Sequence, residues 1–122
     1  MASNDMELVM YKILRYLYDC SKEGKATSEA DFCCTSRLLG DIPQTYWSLI
    51  IKEMVRLGLV SGVLMRETKD GEIIDASGIA ITFGGVQFLH DNSRMQEAKK
   101  YLGRAFELYY EQKMPYSKTI AD

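Results

Sequence analysis

Apolar positions recur at helical spacing over the first part of the chain. Met6, Val9, Met10, Ile13, Leu14 and Leu17 share one face, while Lys12, Arg15, Asp19 and Lys22 fall mostly on the other. This spacing predicts a helix from about Met6 to Ser21, capped by Asp5 and stopped by Gly24. Lys25-Ala26-Thr27 fits a short extended segment. Ser28 and Asp31 have the spacing of a helix-start capping pair. A second helix is therefore expected to run to about Leu39, burying some of Phe32, Cys33, Leu38 and Leu39 and ending at Gly40. Pro43 suits the first turn of a third helix, where a missing N–H costs nothing. That helix runs to Leu57 with Trp47, Ile50, Ile51, Met54 and Leu57 as its buried stripe, and Gly58 is its C-terminal stop.

The period then changes. Leu59-Val60-Ser61-Gly62-Val63-Leu64 reads as a strand. Lys69-Asp70-Gly71-Glu72 carries an Asp-Gly hairpin turn, Ile73 and Ile74 extend the returning arm, and Gly78-Ile79-Ala80-Ile81 reads as a last strand. Thr82 caps a short fourth helix that contains Val86, Phe88 and Leu89 and ends near Asn92. Ser93, with Gln96 at the capping-box position, starts a fifth helix reaching about Lys113, with Met95, Ala98, Leu102, Ala105, Phe106 and Tyr109 as its stripe. The expected fold is α+β and mostly α: a winged helix-turn-helix, with a three-helix core and a β-hairpin wing, followed by a long C-terminal amphipathic helix. In residue numbers this is a winged-helix domain over 1–92, the amphipathic helix over 93–114 and a loose tail over 115–122. The polar opening MASND is expected to fray.

The chain looks similar to the YjcQ family, small winged-helix proteins of bacterial and phage-derived genomes. The resemblance rests on Tyr11 to Leu17 in the first helix. It continues through Ile42-Pro43 to Tyr46-Trp47 and Leu57-Gly58-Leu59-Val60-Ser61-Gly62-Val63. Next come Gly78 to Thr82 with Gly85 and Phe88-Leu89, and last Asn92-Ser93-Arg94-Met95 with Ala98-Lys99-Lys100. Together these cover most of residues 6 to 103. Gly84 departs from the family pattern, in which a charged or polar residue is usual. Two adjacent glycines there are expected to loosen the fourth helix, at ~1 kcal/mol each against alanine. The resemblance implies the fold and a prophage-type setting; it carries no biochemical activity and no functional residues.

Charge narrows the functional classes. The 122 residues carry 15 Lys and Arg against 17 Asp and Glu, a net charge of −2 and a pI near 5.4. A dedicated nucleic-acid binder usually carries a basic excess, so non-specific DNA affinity is expected to be weak unless the cations cluster. Three cysteines, Cys20, Cys33 and Cys34, and the one histidine, His90, lack the paired spacings of a zinc site. The cysteines are read as small apolar residues in a reducing cytoplasm, and no metal or cofactor is expected. Asp5 and Glu7 stand where a secretory leader would be basic or apolar, and no apolar run nears the ~20 residues that span a bilayer. The expected location is cytoplasmic, without a membrane partner.

The third helix holds the main candidate site. Gln44, Thr45 and Ser48 could read base edges; Lys52 and Arg56 could hold phosphates; Arg66 and Lys69 could bring the wing to the backbone or minor groove. Double-stranded DNA is then the partner, and regulation the role. Against this, Leu49 stands on the same outward face, and Glu53, Glu67, Asp70, Glu72 and Asp75 would each oppose a phosphate. The alternative is a protein-interaction adaptor that uses the winged-helix scaffold without nucleic acid. A continuous positive surface would favour DNA, and an acidic or apolar one the adaptor. The fifth helix, with Met95, Leu102, Phe106 and Tyr109, is expected to pair with a second copy in a homodimer or to meet another protein. The competing reading folds it back on the first helix. No catalytic constellation is present: His90-Asp91 is only a neighbouring pair, and Gly84-Gly85 is too short to cradle a phosphate. No enzymatic activity and no small-molecule substrate are expected.

Overall fold

The computed structural model describes residues 5–113. The first four residues and the tail expected over 115–122 lie outside them. Helix α1 spans Asp5–Glu23, α2 Glu29–Phe32 and α3 Gln44–Arg56. Strands follow at Val60–Ser61 (β1), Leu64–Thr68 (β2), Gly71–Asp75 (β3) and Ala80–Ile81 (β4). Helices α4, Phe83–Asp91, and α5, Ser93–Lys113, complete the chain. The architecture is α+β and mostly helical, with two small antiparallel strand pairs and a long C-terminal helix.

Helix α1 is the centre of the core. Its predicted stripe is buried from Val9 to Leu17, with Met6 half-buried at its start, and Tyr11, Tyr16 and Cys20 are buried as well, because α3, α4, α5 and the approach to β4 surround it. Trp47, Ile50, Ile51 and Met54 of α3 close the core from one side. Leu57 does not join them. It is the C-terminal cap residue of α3 and lies exposed, while the chain turns through Gly58 with Gly58 N donating to Val55 O and Leu59 N to Met54 O.

The second helix is far shorter than its capping signal implies. It stops at Phe32, and residues 33–42 form a run of turns. The Trp47 indole N–H donates to Phe32 O at 2.9 Å in the buried core and satisfies the carbonyl left at the helix end. Cys33, Cys34, Thr35 and Ser36 are poor helix formers and offer little resistance. Phe32, Leu38 and Leu39 are buried all the same, and Ser36 Oγ accepts the Leu39 N–H. Ser28 does not cap α2 with its side chain. The Tyr16 hydroxyl sits between Ser28 and Asp31 instead, accepting from Ser28 N at 2.9 Å and donating to Asp31 Oδ2 at 2.8 Å.

The expected strand over 59–64 divides at Gly62. β1 pairs with β4, Val60 opposite Ile81, and β2 pairs with β3 from Leu64 opposite Asp75 to Thr68 opposite Gly71. The hairpin loop is therefore Lys69-Asp70, one residue earlier than an Asp-Gly centre. The last strand shortens to two residues. Thr82 caps α4 as expected, accepting from Gly85 N at 2.9 Å and donating to Gly58 O at 2.7 Å.

Helix α5 is capped by Asn92, whose Oδ1 accepts from Arg94 N and Met95 N. Gln96 reaches back to the His90 carbonyl rather than closing a capping box with Ser93. The helix is not straight: Gly103 breaks it with φ 68° and ψ −166°. The first part, 93–102, buries Met95 and Ala98. The second part, 104–113, lies on α1 and buries Tyr110 completely, while Tyr109, expected on the buried stripe, is only half-buried and Ala105 is exposed.

Candidate functional site

The outer face of α3 and the adjoining hairpin bring the predicted DNA-contact residues together. Gln44, Thr45, Lys52 and Arg56 are exposed and Ser48 is half-buried, at successive positions along one helix. Gln44 is engaged locally. Its Oε1 accepts from Cys34 Sγ at 3.1 Å and its Nε2 lies 3.5 Å from Ser48 Oγ. This contact places the turn after α2 against the start of α3.

The two cations meant for phosphates are bonded within the chain. Lys52 Nζ donates to Glu72 Oε1 at 2.7 Å, a bridge from α3 to β3 that sets where the hairpin stands. Arg56 grips Glu53 one turn back with two guanidinium nitrogens. The Arg56 guanidinium holds the Glu53 carboxyl below its ordinary range, and Glu53 in turn raises Arg56. Arg66 on β2 and Lys69 in the loop are exposed and, among the described residues, form no ion pair. Asp75 is held below its ordinary range mainly by hydrogen bonds from Ser77, with a smaller contribution from the Arg66 charge.

The hairpin register sorts its side chains between two faces. Glu72 meets Lys52, so Glu67, Glu72, Met65 and Ile74 share the face turned to α3. Glu67 and Glu72 stand directly opposite each other, and Lys52 relieves that like-charge pair. The outer face carries Leu64 beside Asp75 and Arg66 beside Ile73. Leu64 is 66% exposed, Ile73 46% and, on α3 one turn before Lys52, Leu49 50%. The charges are thus mixed on both faces: Lys52 stands with Glu67 and Glu72 on the side turned to α3, and Arg66 with Asp75 on the outer side, where Leu64 and Ile73 interrupt them. Sequence reasoning had Leu49 and the carboxylates but not the Lys52–Glu72 bridge, nor Leu64 and Ile73 as an outer apolar pair. Strand alternation counted from a Lys69-Asp70 loop would have put Leu64 and Ile73 on one face; the bridge to α3 depends on how the hairpin sits against that helix.

The residues expected to dimerise are placed differently. Met95 is buried inside the protomer, and Leu102 and Phe106 pack against its core. Tyr109 donates to the Arg37 carbonyl at 3.2 Å. Their neighbours on α1 form a polar cluster that the sequence pattern did not show. Arg15 donates to Glu107 at 2.8 Å and lies 4.5 Å from the Tyr110 ring centre, and the Tyr110 hydroxyl donates to Asp19 at 2.7 Å. A cleft of about 250 Å³ beside this cluster is lined by Tyr18, Lys22, His90 and Lys99. His90 Nδ1 is 3.0 Å from the Val86 carbonyl, and its ring meets Tyr18 edge-on.

Cys20 is buried and Cys33 and Cys34 are half-buried; none of the three is in a disulfide. Among the described residues no group of His, Cys, Asp and Glu is gathered as a metal site, and no helix is long and apolar enough to cross a membrane.

No curated protein and no solved structure matches the chain. A family model described as YjcQ protein matches residues 11–105, from within α1 to just past the break in α5. The match takes in most of the core, both strand pairs and the whole α3–hairpin face, and on that extent the chain belongs to the YjcQ family.

Proposed function

We propose that this chain is a winged-helix adaptor, in which α1, α2 and α3 are the helical core, β2–β3 is the wing, and the α3–wing face docks a protein segment. The observation that carries this reading is the neutralised face. Over α3 and the hairpin four cations stand with five carboxylates, Lys52 and Arg56 are already bonded to Glu72 and Glu53, Leu49 is exposed on α3, and Leu64 and Ile73 are exposed on the outer face of the hairpin. A phosphate recruited by either cation must displace a carboxylate and leave it close by. At about 5 Å in water that repulsion is about 0.8 kcal/mol, which opposes the counterion release that drives DNA binding. A peptide with one or two apolar side chains and charges of both signs meets no such conflict.

Duplex DNA is the second reading. Arg66 and Lys69 are free on the wing, and Gln44, Thr45 and Ser48 form a polar start to α3. These are the positions from which a winged helix reaches a groove and its backbone. In this second reading the role is regulatory, in the bacterial or prophage-type setting that family resemblance implies.

A photo-crosslinking residue at Thr45, introduced in the native cell, separates the two. The adaptor reading predicts one discrete protein adduct. That adduct is lost on Leu49→Asp or Ile73→Asp and absent from a control crosslinker at Lys22 on α1. Adducts that are nuclease-sensitive, and unaffected by those two substitutions, would overturn it.

A further inference from the structure

We propose that residues 104–113 are an exchangeable arm: when α5 straightens at Gly103, the arm leaves its own α1 and seats on the α1 of a second copy of this chain. The inference does not rest on the reading of the α3–wing face. It begins with Gly103, whose φ of 68° and ψ of −166° lie in a region essentially reserved for glycine. Helix continues on both sides of it, so a single residue separates the bent helix from one of 21 residues, about 31 Å long. Nothing lies within 4 Å of the position a Cβ would take at Gly103. The inside of the bend is an open concavity of about 680 Å³ lined by Gln96, Lys99, Lys100 and Glu107. No packed side chain holds the hinge shut.

What holds the arm is its seat. Glu107 accepts from Arg15, and Tyr110 donates to Asp19 and stacks on Arg15. Phe106 meets Tyr11 edge-on, and Tyr109 reaches the Arg37 carbonyl. Every one of these contacts joins the arm to α1 or to the turns after α2. None of them involves residues 93–102, so the same set forms unchanged when the arm comes from another copy, which is the condition for a swap. The matched family region ends at residue 105, so nearly all of the arm lies beyond it while its seat, Tyr11 to Asp19, lies inside.

The straight form also gains a surface. Tyr101 and Leu108, 62% and 46% exposed, stand on either side of the break with exposed Ala105 between them. On one continuous helix these three positions, spaced four and three apart, share a face. Two such helices crossing a two-fold axis would bury them against each other, a contact the bent monomer cannot make.

Charge reversal tests the exchange. Arg15→Glu alone sets a second carboxylate against Glu107, and Glu107→Arg alone sets a second guanidinium against Arg15, so each arm is repelled from its own seat. In a mixed dimer that exchanges arms, the Arg15→Glu chain's seat receives the arginine-bearing arm and the Glu107→Arg chain's seat receives the glutamate-bearing one, so both regain opposite charges. Native mass spectrometry of the mixture is expected to show a dimer with one chain of each kind. Gly103→Ala, strained only in the bent form and a better helix former, is expected to raise the dimer association constant on the order of 100-fold. A label pair needs neither charge variant to fold. Energy transfer between chains labelled at Ser21 and chains labelled at Gln112, both exposed, should appear on mixing and rise with Gly103→Ala. Absence of the mixed dimer from two folded variants, or absence of inter-chain transfer with Gly103→Ala, overturns the proposal, whatever dimer forms through another face.

Discussion

Gly84 and Gly85 are adjacent in the first turn of α4, yet alanine at the two positions should act in opposite directions. A Cβ on Gly85 would stand 2.2 Å from Leu59 O and 2.7 Å from Ile81 Cγ1. The helix must retreat by about 1 Å to restore ordinary contact. The same carbonyl accepts from Thr82 N at 3.0 Å, so the retreat also loosens the join between β4 and α4. Overpacking of this kind costs about 1–3 kcal/mol and a weakened hydrogen bond about 1 kcal/mol, offset by up to about 1 kcal/mol of helix preference. Gly85→Ala should therefore destabilise by about 2 kcal/mol, or roughly 8 °C in Tm for a chain of this size. A Cβ on Gly84 meets only Gly58 O at 3.5 Å and Thr82 Oγ1 at 3.7 Å, which is ordinary contact. Gly84→Ala should stabilise by about 0.4–1 kcal/mol, chiefly by restricting the unfolded chain. Urea unfolding followed by the fluorescence of Trp47, the only tryptophan, and by far-UV circular dichroism reads both. A Gly85→Ala midpoint equal to that of the parent chain, or both variants shifting in one direction, would refute the packing of α4 on the Leu59 carbonyl.

Burial, together with the Asp19 carboxylate for Tyr110, raises the pKa of Tyr11 and Tyr110 above the ordinary tyrosine value. The fold thus favours their neutral forms: this stabilisation is complete below about pH 10 and is lost as pH rises above it. Urea midpoints between pH 8 and 11 should fall at the alkaline end, and less steeply in Tyr110→Phe, which also loses about 1.5 kcal/mol at neutral pH with its bond to Asp19. Trp47→Phe strands the buried Phe32 carbonyl and should cost about 2–3 kcal/mol by circular dichroism. A double-mutant cycle of Lys52→Ala and Glu72→Ala should give a coupling below about 1 kcal/mol, since Lys52 is well exposed, and it should fade in 0.5 M salt. In Lys52→Ala alone, hydrogen exchange of 64–75 should quicken because Glu67 and Glu72 are left facing each other.

Periodicity located most of the fold. The stripe from Met6 to Leu17 and the positions Trp47, Ile50, Ile51 and Met54 are local signals, and all but half-buried Met6 are buried as read. Family resemblance, carried by the ordered motifs between Tyr11 and Lys100, is likewise matched over 11–105. What was not legible depends on partners distant in sequence. The carbonyl at the end of α2 is satisfied by the Trp47 indole from 15 residues away. Gly103 interrupts an amphipathic pattern that runs on past it, so no change of period marks the bend. Tyr110 rather than Tyr109 is buried because the arm meets Arg15 and Asp19 of α1, about 90 residues earlier. On the candidate site, the residue types were visible but not their pairing. Lys52 and Arg56 count as free cations in a sequence and as satisfied ones once Glu72 and Glu53 lie beside them.

The neutrality of the α3–hairpin face is measured most directly by titrating fluorescent duplex DNA pools with the full chain between 50 and 200 mM salt. The adaptor reading predicts no binding tighter than about 10⁻⁴ M at physiological salt, with no change on Lys52→Ala or Arg56→Ala. Sequence-dependent binding whose logarithm falls with log salt at a slope of about −3.6, as four phosphate contacts require, would contradict it, above all if each of those substitutions flattened the slope by about 1.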